Sequence, residues 1–251
     1  MVTLPYYLGQ NANRITQYAF ARILAEELDL SLSAPPVPFF ANVPNVIQRR
    51  SIHEPRIRLD DRKAQVSKKS LSQILDECRG KAVTMEGFFE RADYFLPYRQ
   101  KLRDWFNVKL PEVPIRQIAI HVRGTDLVVP HRLGISYYRQ ALGLLPAFPA
   151  KIFTDDPNLP LVRELGFPVA GRSPQEDFFE MVQSEAIVIC QSTFSWWAAF
   201  LSNARTVQHI PVSGWWSAEC PERYWYVPEW QQVSVPQLAP ITFNFSGIAA
   251  P

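Results

Sequence analysis

The residues best suited to chemistry in this 251-residue chain lie at the end of one apolar run. Ile118-Ala119-Ile120 leads directly into His121, Val122, Arg123, Gly124, Thr125 and Asp126. A buried strand that ends in a cationic Arg beside an imidazole can clamp an anion, most simply a phosphate. In open α/β sheets, ligands bind at this carboxyl end of the strands. The same residues could also form a core strand with a solvated turn after it.

Two further segments carry polar groups of the same kind. Thr154-Asp155-Asp156-Pro157 follows the strand expected at Ala150–Phe153. The Asp pair could chelate a divalent metal, accept hydrogen bonds from a guanine edge, or cap the helix after Pro157; two adjacent carboxylates alone are weak evidence for a metal. Gln191-Ser192-Thr193-Phe194-Ser195-Trp196-Trp197 follows the apolar run Ala186–Cys190. Ser192, Thr193 and Ser195 stand where a helix begins, so hydroxyls and free N–H groups converge there on an anion site. N-capping alone would need only one of them. Trp196 and Trp197 suit helix-to-sheet packing better than a sugar platform.

The elements that must position these groups alternate regularly. Strands are expected at Gln117–Val122, Ala150–Phe153, Ala186–Cys190 and Thr206–Ile210, with a minimal one beginning at Val169. Helices are expected at Tyr137–Leu145, Leu159–Leu165 (stopped by Gly166), Gln175–Ser184 and Ser195–Leu201. This spacing predicts βαβ units and a parallel sheet, a Rossmann-like half. Asn107-Val108-Lys109-Leu110-Pro111-Glu112-Val113-Pro114 reads as a hinge, dividing the chain into 1–112 and 113–251.

Before the hinge, Gly9-Gln10-Asn11-Ala12-Asn13-Arg14 feeds a helix with apolar rows Ile15-Ala19-Ile23 and Phe20-Leu24-Leu28. Its start places backbone N–H groups near Asn13 and Arg14, where a substrate could be held; Asn11 as a helix cap is the simpler reading. Residues 33–61 are Pro-rich and read as irregular. The basic residues from Arg49 to Lys69 read as a solvated face, with contact to an anionic glycan or a membrane surface as the alternative. Ser70–Arg79 reads as a helix and Ala82–Met85 as a strand. Phe88, Phe89, Tyr94 and Phe95 read as core.

Composition narrows the class further. Hydrophobic residues make up 47% and charged residues 20%, which fits a soluble globular protein. Lys and Arg total 26 against 24 Asp and Glu, so net charge gives no case for nucleic-acid binding. Cys78, Cys190 and Cys220 form no Cys-x-x-Cys pair, which argues against a disulfide framework or structural zinc and for a reducing, cytoplasmic setting. Neither a secretory leader nor a membrane span is expected. No Gly-x-Ser-x-Gly elbow, Walker A loop, Gly-x-Gly-x-x-Gly turn or His-Glu-x-x-His helix is present, which disfavours an α/β-hydrolase, a P-loop enzyme, a common dehydrogenase and a zincin.

In order, His121-x-Arg123-x-x-Asp126, Asp155-Asp156-Pro157 and Ser192-Thr193-Phe194-Ser195-Trp196-Trp197 resemble the motifs of glycosyltransferase family 11, the α1,2-fucosyltransferases. Gly9, Asn13, Gln17, Tyr18 and Ala19 are similar to the family's N-terminal loop and helix, and Gly87-Phe88-Phe89 with Tyr94-Phe95 to its Gly-Tyr-Phe segment.

The resemblance implies a GT-B-like α/β enzyme of two Rossmann-type lobes with a cleft between them. Its 113–251 lobe would bind the donor through a parallel sheet, and its 1–112 lobe would face the acceptor. Fucose would pass from GDP-fucose to a glycan hydroxyl, galactose O2 in the α1,2 case, with inversion, no essential metal and no cofactor beyond the donor substrate. Arg123 would hold the β-phosphate and His121 would lie at the donor site. Asp155 or Asp156 would read guanine, Ser192, Thr193 and Ser195 would bind phosphate, and Asn13 and Arg14 would sit at the cleft as further donor-binding residues. Asp126 is expected to form part of the site, and the general base stays open among Asp126, His131 and His121. The implied partners are a GDP-sugar and a glycan, with a peripheral membrane contact compatible with a cytoplasmic protein.

The chain departs from the family pattern where a second Arg stands in the family: here that position is Gly124. This keeps two other expectations in play, a nucleotide-sugar-binding protein with reduced catalysis and an enzyme of the same fold with another donor or acceptor.

Overall fold

A computed structural model of the chain describes residues 1–62, 65–124, 133–209 and 225–233. They form two compact units, Met1–Lys109 and Leu110–Pro251. Each contains a five-stranded sheet.

In the first unit the strands are β1 (Val2–Thr3), β2 (Leu32–Ser33), β3 (Val46–Ile47), β4 (Arg56–Asp61) and β5 (Ala82–Gly87), in the order β3-β2-β1-β5-β4. All neighbours run parallel except β2 and β3. Helix α1 (Asn11–Glu27) joins β1 to β2, and its expected apolar rows are buried at Ile15, Ala19, Ile23, Phe20 and Leu24. Gln10 occupies its N-cap position, so Asn11 is the first helical residue and not the cap. Helix α2 (Leu71–Cys78) starts in a capping box formed by Ser70 and Gln73. The short helices α3 (Ala92–Phe95) and α4 (Arg99–Trp105) follow β5. Phe89, Tyr94 and Phe95 are buried core residues, as their sequence context predicts.

The 33–61 segment is less irregular than its prolines suggest. It contributes β3 and the six-residue edge strand β4. The sequence of β4, Arg-Ile-Arg-Leu-Asp-Asp, hides a strand because its outward positions are charged, a common device at a sheet edge. Its neighbouring arginines are paired rather than simply solvated: Arg49 meets Glu26 at 2.8 Å, and Arg58 and Arg62 both engage Glu86.

The second unit follows the predicted alternation. Strands β6 (Ile115–Val122), β7 (Ala150–Thr154), β8 (Ser184–Val188), β9 (Thr206–His209) and β10 (Gln231–Gln232) form an all-parallel sheet in the order β10-β9-β8-β6-β7. Helices α5 (Ile135–Gly143), α6 (Pro160–Leu165), α7 (Pro174–Gln183) and α8 (Thr193–Leu201) supply the crossovers. The chain is thus α/β with Rossmann-like lobes. Val169 makes a single parallel bridge to Ile152. Gly166 ends α6 in the left-handed conformation at φ +71°, where a glycine carries no Cβ penalty. A capping box of Ser173 and Glu176 starts α7, whose Phe178, Met181 and Val182 are buried. Helix α8 is apolar on every side and entirely enclosed from Ser195 to Leu201. Trp196 and Trp197 are fully buried, and Trp196 donates its indole N–H to the Trp225 carbonyl at 3.1 Å, so both serve packing.

Candidate functional site

Strand β6 lies between β8 and β7 in the second sheet, so the carboxyl ends of these three strands are neighbours. This brings together the three segments singled out in the sequence. Two buried tyrosines of α5 pin the backbone there. Tyr138 donates its hydroxyl to the His121 carbonyl at 3.1 Å, and Tyr137 donates to the Ile189 carbonyl at 2.5 Å. Both phenols are driven well above their ordinary range by burial, so they stay protonated donors.

Arg123 leaves the end of β6 and donates from Nη1 to the Gln191 carbonyl at 3.2 Å, which ties the cation to the loop that starts α8. The next residue, Gly124, donates its backbone N–H to Asp155 Oδ1 at 2.8 Å. Asp155 therefore braces the β6 loop from the end of β7. Asp156 closes its own turn: Oδ1 accepts the Asn158 N–H at 3.0 Å, and its backbone N–H donates to Thr154 Oγ1 at 3.1 Å. Among the described residues, no three His, Cys, Asp or Glu side chains gather as metal ligands.

Gly124 occupies a crowded place. A Cβ built there would lie 2.3 Å from Leu159 Cδ1, 3.1 Å from Leu159 Cγ and 3.3 Å from Asp156 Cβ. Leu159 is itself buried, so a side chain at position 124 would require it to shift. The Gly at this position and the Leu that precedes α6 are thus one packing solution.

At the third strand end, the hydroxyls divide their duties. Ser192 is the N-cap of α8 and accepts the Phe194 N–H at 3.3 Å. Thr193 is the first helical residue and is buried. Ser195 is fully enclosed; its Oγ accepts the Cys190 N–H at 3.3 Å and lies 3.3 Å from the Ser192 carbonyl. Its hydroxyl braces the turn from inside. Gln191 is 1% exposed, and among the described residues both ends of its side-chain amide lack a hydrogen-bond partner. Such a group costs about 1–3 kcal/mol unless something completes it, which marks the position as one awaiting a polar partner.

His121 is buried, with Nδ1 3.0 Å from Cys190 Sγ and its ring against Phe194 at a centroid distance of 5.3 Å. Burial drives the imidazole down to about 4, with the Asp155 carboxylate opposing and the Arg123 cation reinforcing that change. The imidazole is neutral at pH 7. Cys190 is pushed up to about 12, mainly by burial, so it is a thiol and not a thiolate. The sequence offered no sign of this pairing: Cys190 reads only as the last residue of an apolar run.

Asn13 and Arg14 belong to the first unit. Gly9 precedes them at φ +69°, a left-handed value that favours glycine, and a Cβ on it would meet Asn13 Cγ at 3.0 Å. The loop is held by Gln17, whose Oε1 accepts the Leu8 N–H at 2.9 Å and whose Nε2 donates to the Leu8 carbonyl at 2.8 Å. Asn13 donates to Glu90 Oε1 at 2.8 Å, and Arg14 Nε donates to the Gly9 carbonyl at 3.2 Å. Gly9, Asn13 and Gln17, three of the motif positions noted in the sequence, thus form one connected loop. Thr125, Asp126, His131 and Arg132 lie outside the described residues, and so does Cys220.

Comparison with known proteins agrees with the last of the three motifs, Ser192–Trp197. The family model described as glycosyl transferase family 11 matches residues 158–234. An alpha-1,2-colitosyltransferase from Escherichia coli is 25% identical over 221 residues, which span 72% of this chain and 74% of that protein. No solved structure matches the chain. The resemblance to glycosyltransferase family 11 read from the sequence is borne out, and with it a glycosyltransferase as the class of protein.

Proposed function

We propose that the chain is an inverting fucosyltransferase that moves fucose from GDP-fucose to a glycan hydroxyl, galactose O2 being the first acceptor to test. The observation that carries the reading is the junction of Arg123 with the loop opening α8. A permanent cation and the start of a helix meet there beside the buried Gln191 amide, which has no partner among the described residues. In transfer from a nucleoside diphosphate sugar, the diphosphate gains negative charge as the glycosidic bond breaks. Fixed donors at that point stabilise the transition state without reorganising.

In this reading Arg123 holds the β-phosphate, and the α8 start with Ser192 and Thr193 receives the rest of the diphosphate. Asp155 contributes by fixing the backbone of Gly124; it and Asp156 are the candidates to read guanine. Ser195 acts indirectly, through the shape of the turn. The second unit, Leu110–Pro251, serves the donor, and the first serves the acceptor in a GT-B-like enzyme. No metal is required, because Arg123 and the helix start supply the charge.

A colitosyl donor in place of a fucosyl one is the second reading, favoured by the named activity of the Escherichia coli relative. Incubating the full chain with fucosyl and colitosyl nucleotide donors and a panel of galactosides, while following nucleotide release, tests both. Release that depends on acceptor and survives EDTA is expected. GDP binding without turnover on any acceptor would leave a nucleotide-sugar-binding protein, and loss of activity in EDTA would sink the metal-free mechanism.

A further inference from the structure

We propose that Cys190 is a positioning residue that fixes His121 as the neutral tautomer protonated on Nε2, so that His121 offers one uncharged N–H to the oxygens of a nucleotide sugar. The ligand rests on the glycosyltransferase reading above; the tautomer does not.

Hydrogen-bond valence around a single sulfur decides the tautomer. The Arg123 backbone N–H already donates to the Cys190 sulfur. The thiol has one proton, and the acceptors near it are His121 Nδ1 at 3.0 Å and Ser195 Oγ at 4.0 Å. A bare imidazole nitrogen accepts far better than a distant hydroxyl, so the thiol proton goes to Nδ1. The opposite arrangement would place a second N–H on a weak sulfur acceptor and leave the thiol proton only the Ser195 hydroxyl at 4.0 Å. With Nδ1 accepting, a neutral ring must carry its proton on Nε2.

The ring has little freedom to choose otherwise. Phe194 packs on it, Phe178 backs Phe194 at 5.4 Å, and Tyr138 holds the His121 carbonyl. Among the described residues, His121 makes no second hydrogen bond through the ring. Nε2–H is therefore the donor still available, next to the strand end that carries Arg123.

A chemical consequence follows for the transfer step. An imidazole that accepts at Nδ1 and is protonated at Nε2 has no lone pair left to remove a proton from an attacking hydroxyl. His121 is thereby a hydrogen-bond donor and leaves the list of general-base candidates.

The test uses long-range proton–nitrogen NMR on the uniformly labelled full chain, with the His121 signals assigned by their loss in His121→Gln. At neutral pH, without ligand, the parent should show the Nε2–H tautomer. Cys190→Ala should show exchange between tautomers, and Cys190→Ser, whose hydroxyl can donate in the same way, should restore the single form. In parallel, Cys190→Ala should weaken GDP binding and raise donor KM by roughly fivefold, the worth of one net hydrogen bond, with kcat changed less; Cys190→Ser should recover most of it. An Nδ1–H tautomer in the parent would overturn the proposal, as would an alanine variant with unaltered tautomer and GDP affinity. If Cys190→Ala fails to fold, the parent spectrum and the Cys190→Ser variant still decide. A parent that shows the Cys190-dependent tautomer yet never binds GDP would support the positioning role and overturn the nucleotide reading instead.

Discussion

The carboxyl edges of the two sheets are built from similar residues but are satisfied to different degrees. In the first unit, Asp61 is buried and accepts from the Ser67 N–H, the Ser67 hydroxyl and the Phe89 N–H. Glu86, also buried, takes Tyr6, Arg58 and Arg62. Glu90 takes Asn13. These carboxylates are spent on holding the loops. In the second unit, Asp155 and Ser195 are spent in the same way, but among the described residues Gln191 keeps an unpartnered buried amide and the ring of His121 has one hydrogen bond where it could make two. Saturated polar groups are scaffold, and unsaturated ones beside a cation are where a ligand completes the structure. Residue types alone do not separate the two edges; their hydrogen bonds do.

The largest effect expected from this contrast is a pH dependence owed to His121. Its pKa falls from an ordinary 6.5 to about 4 on folding, so the unfolded chain binds the extra proton between those values. Stability should therefore decline as pH drops through that window, by about 3 kcal/mol in full, because each tenfold change in proton affinity is worth about 1.4 kcal/mol. Urea denaturation from pH 7.5 down to 4.5 should show this component in the parent and lose it in His121→Gln; equal slopes would mean the ring is not held neutral.

Next comes Arg123→Ala, which should weaken GDP binding roughly tenfold to a hundredfold, the range for a lost charge-assisted hydrogen bond. Calorimetric titration with GDP reads it directly, and an unaltered affinity would remove Arg123 from the clamp. Gly124→Arg, which restores the family's residue, should cost about 1–3 kcal/mol by driving a side chain into Leu159. Adding Leu159→Ala should then cost less than it does alone, a coupling that a double-mutant cycle measures. A Gly124→Arg chain as stable as the parent would break the packing account. The smallest effect sharpens the boundary between scaffold and site: Ser195→Ala should lower stability by about 1 kcal/mol and leave GDP affinity within about twofold. A large loss of affinity with unchanged stability would return Ser195 to direct phosphate contact.

Much of the second unit was legible in the sequence, for a physical reason. Parallel strands enclosed on both faces are short apolar runs, and Ile118–Val122 and Ala186–Val188 can be little else. Gly166 gave its helix end away through local chemistry alone. The edge strand β4 was not legible, since its pairing with β5 is decided by a partner beyond an intervening helix and its outward side chains are charged. Within the site, motif spacing pointed to Arg123 and the α8 start. It could not reveal that Asp155 braces a backbone N–H, that Ser195 faces the turn, or that Leu159 packs against Gly124. Those depend on contacts between strand ends, which no local pattern encodes.

Cys78 and Cys190 are both fully or almost fully buried, one in each unit, and burial holds their thiols at about 11 and about 12. A thiol so deprived of its anion reacts with an alkylating reagent only when the surrounding structure opens. With Cys220 replaced by Ser, the rate of modification at each remaining cysteine becomes a clock for the opening of its own unit. The chain thus carries two internal reporters of local unfolding, and adding GDP should slow the one at Cys190 while leaving the one at Cys78 unchanged if the nucleotide is held by the second unit alone.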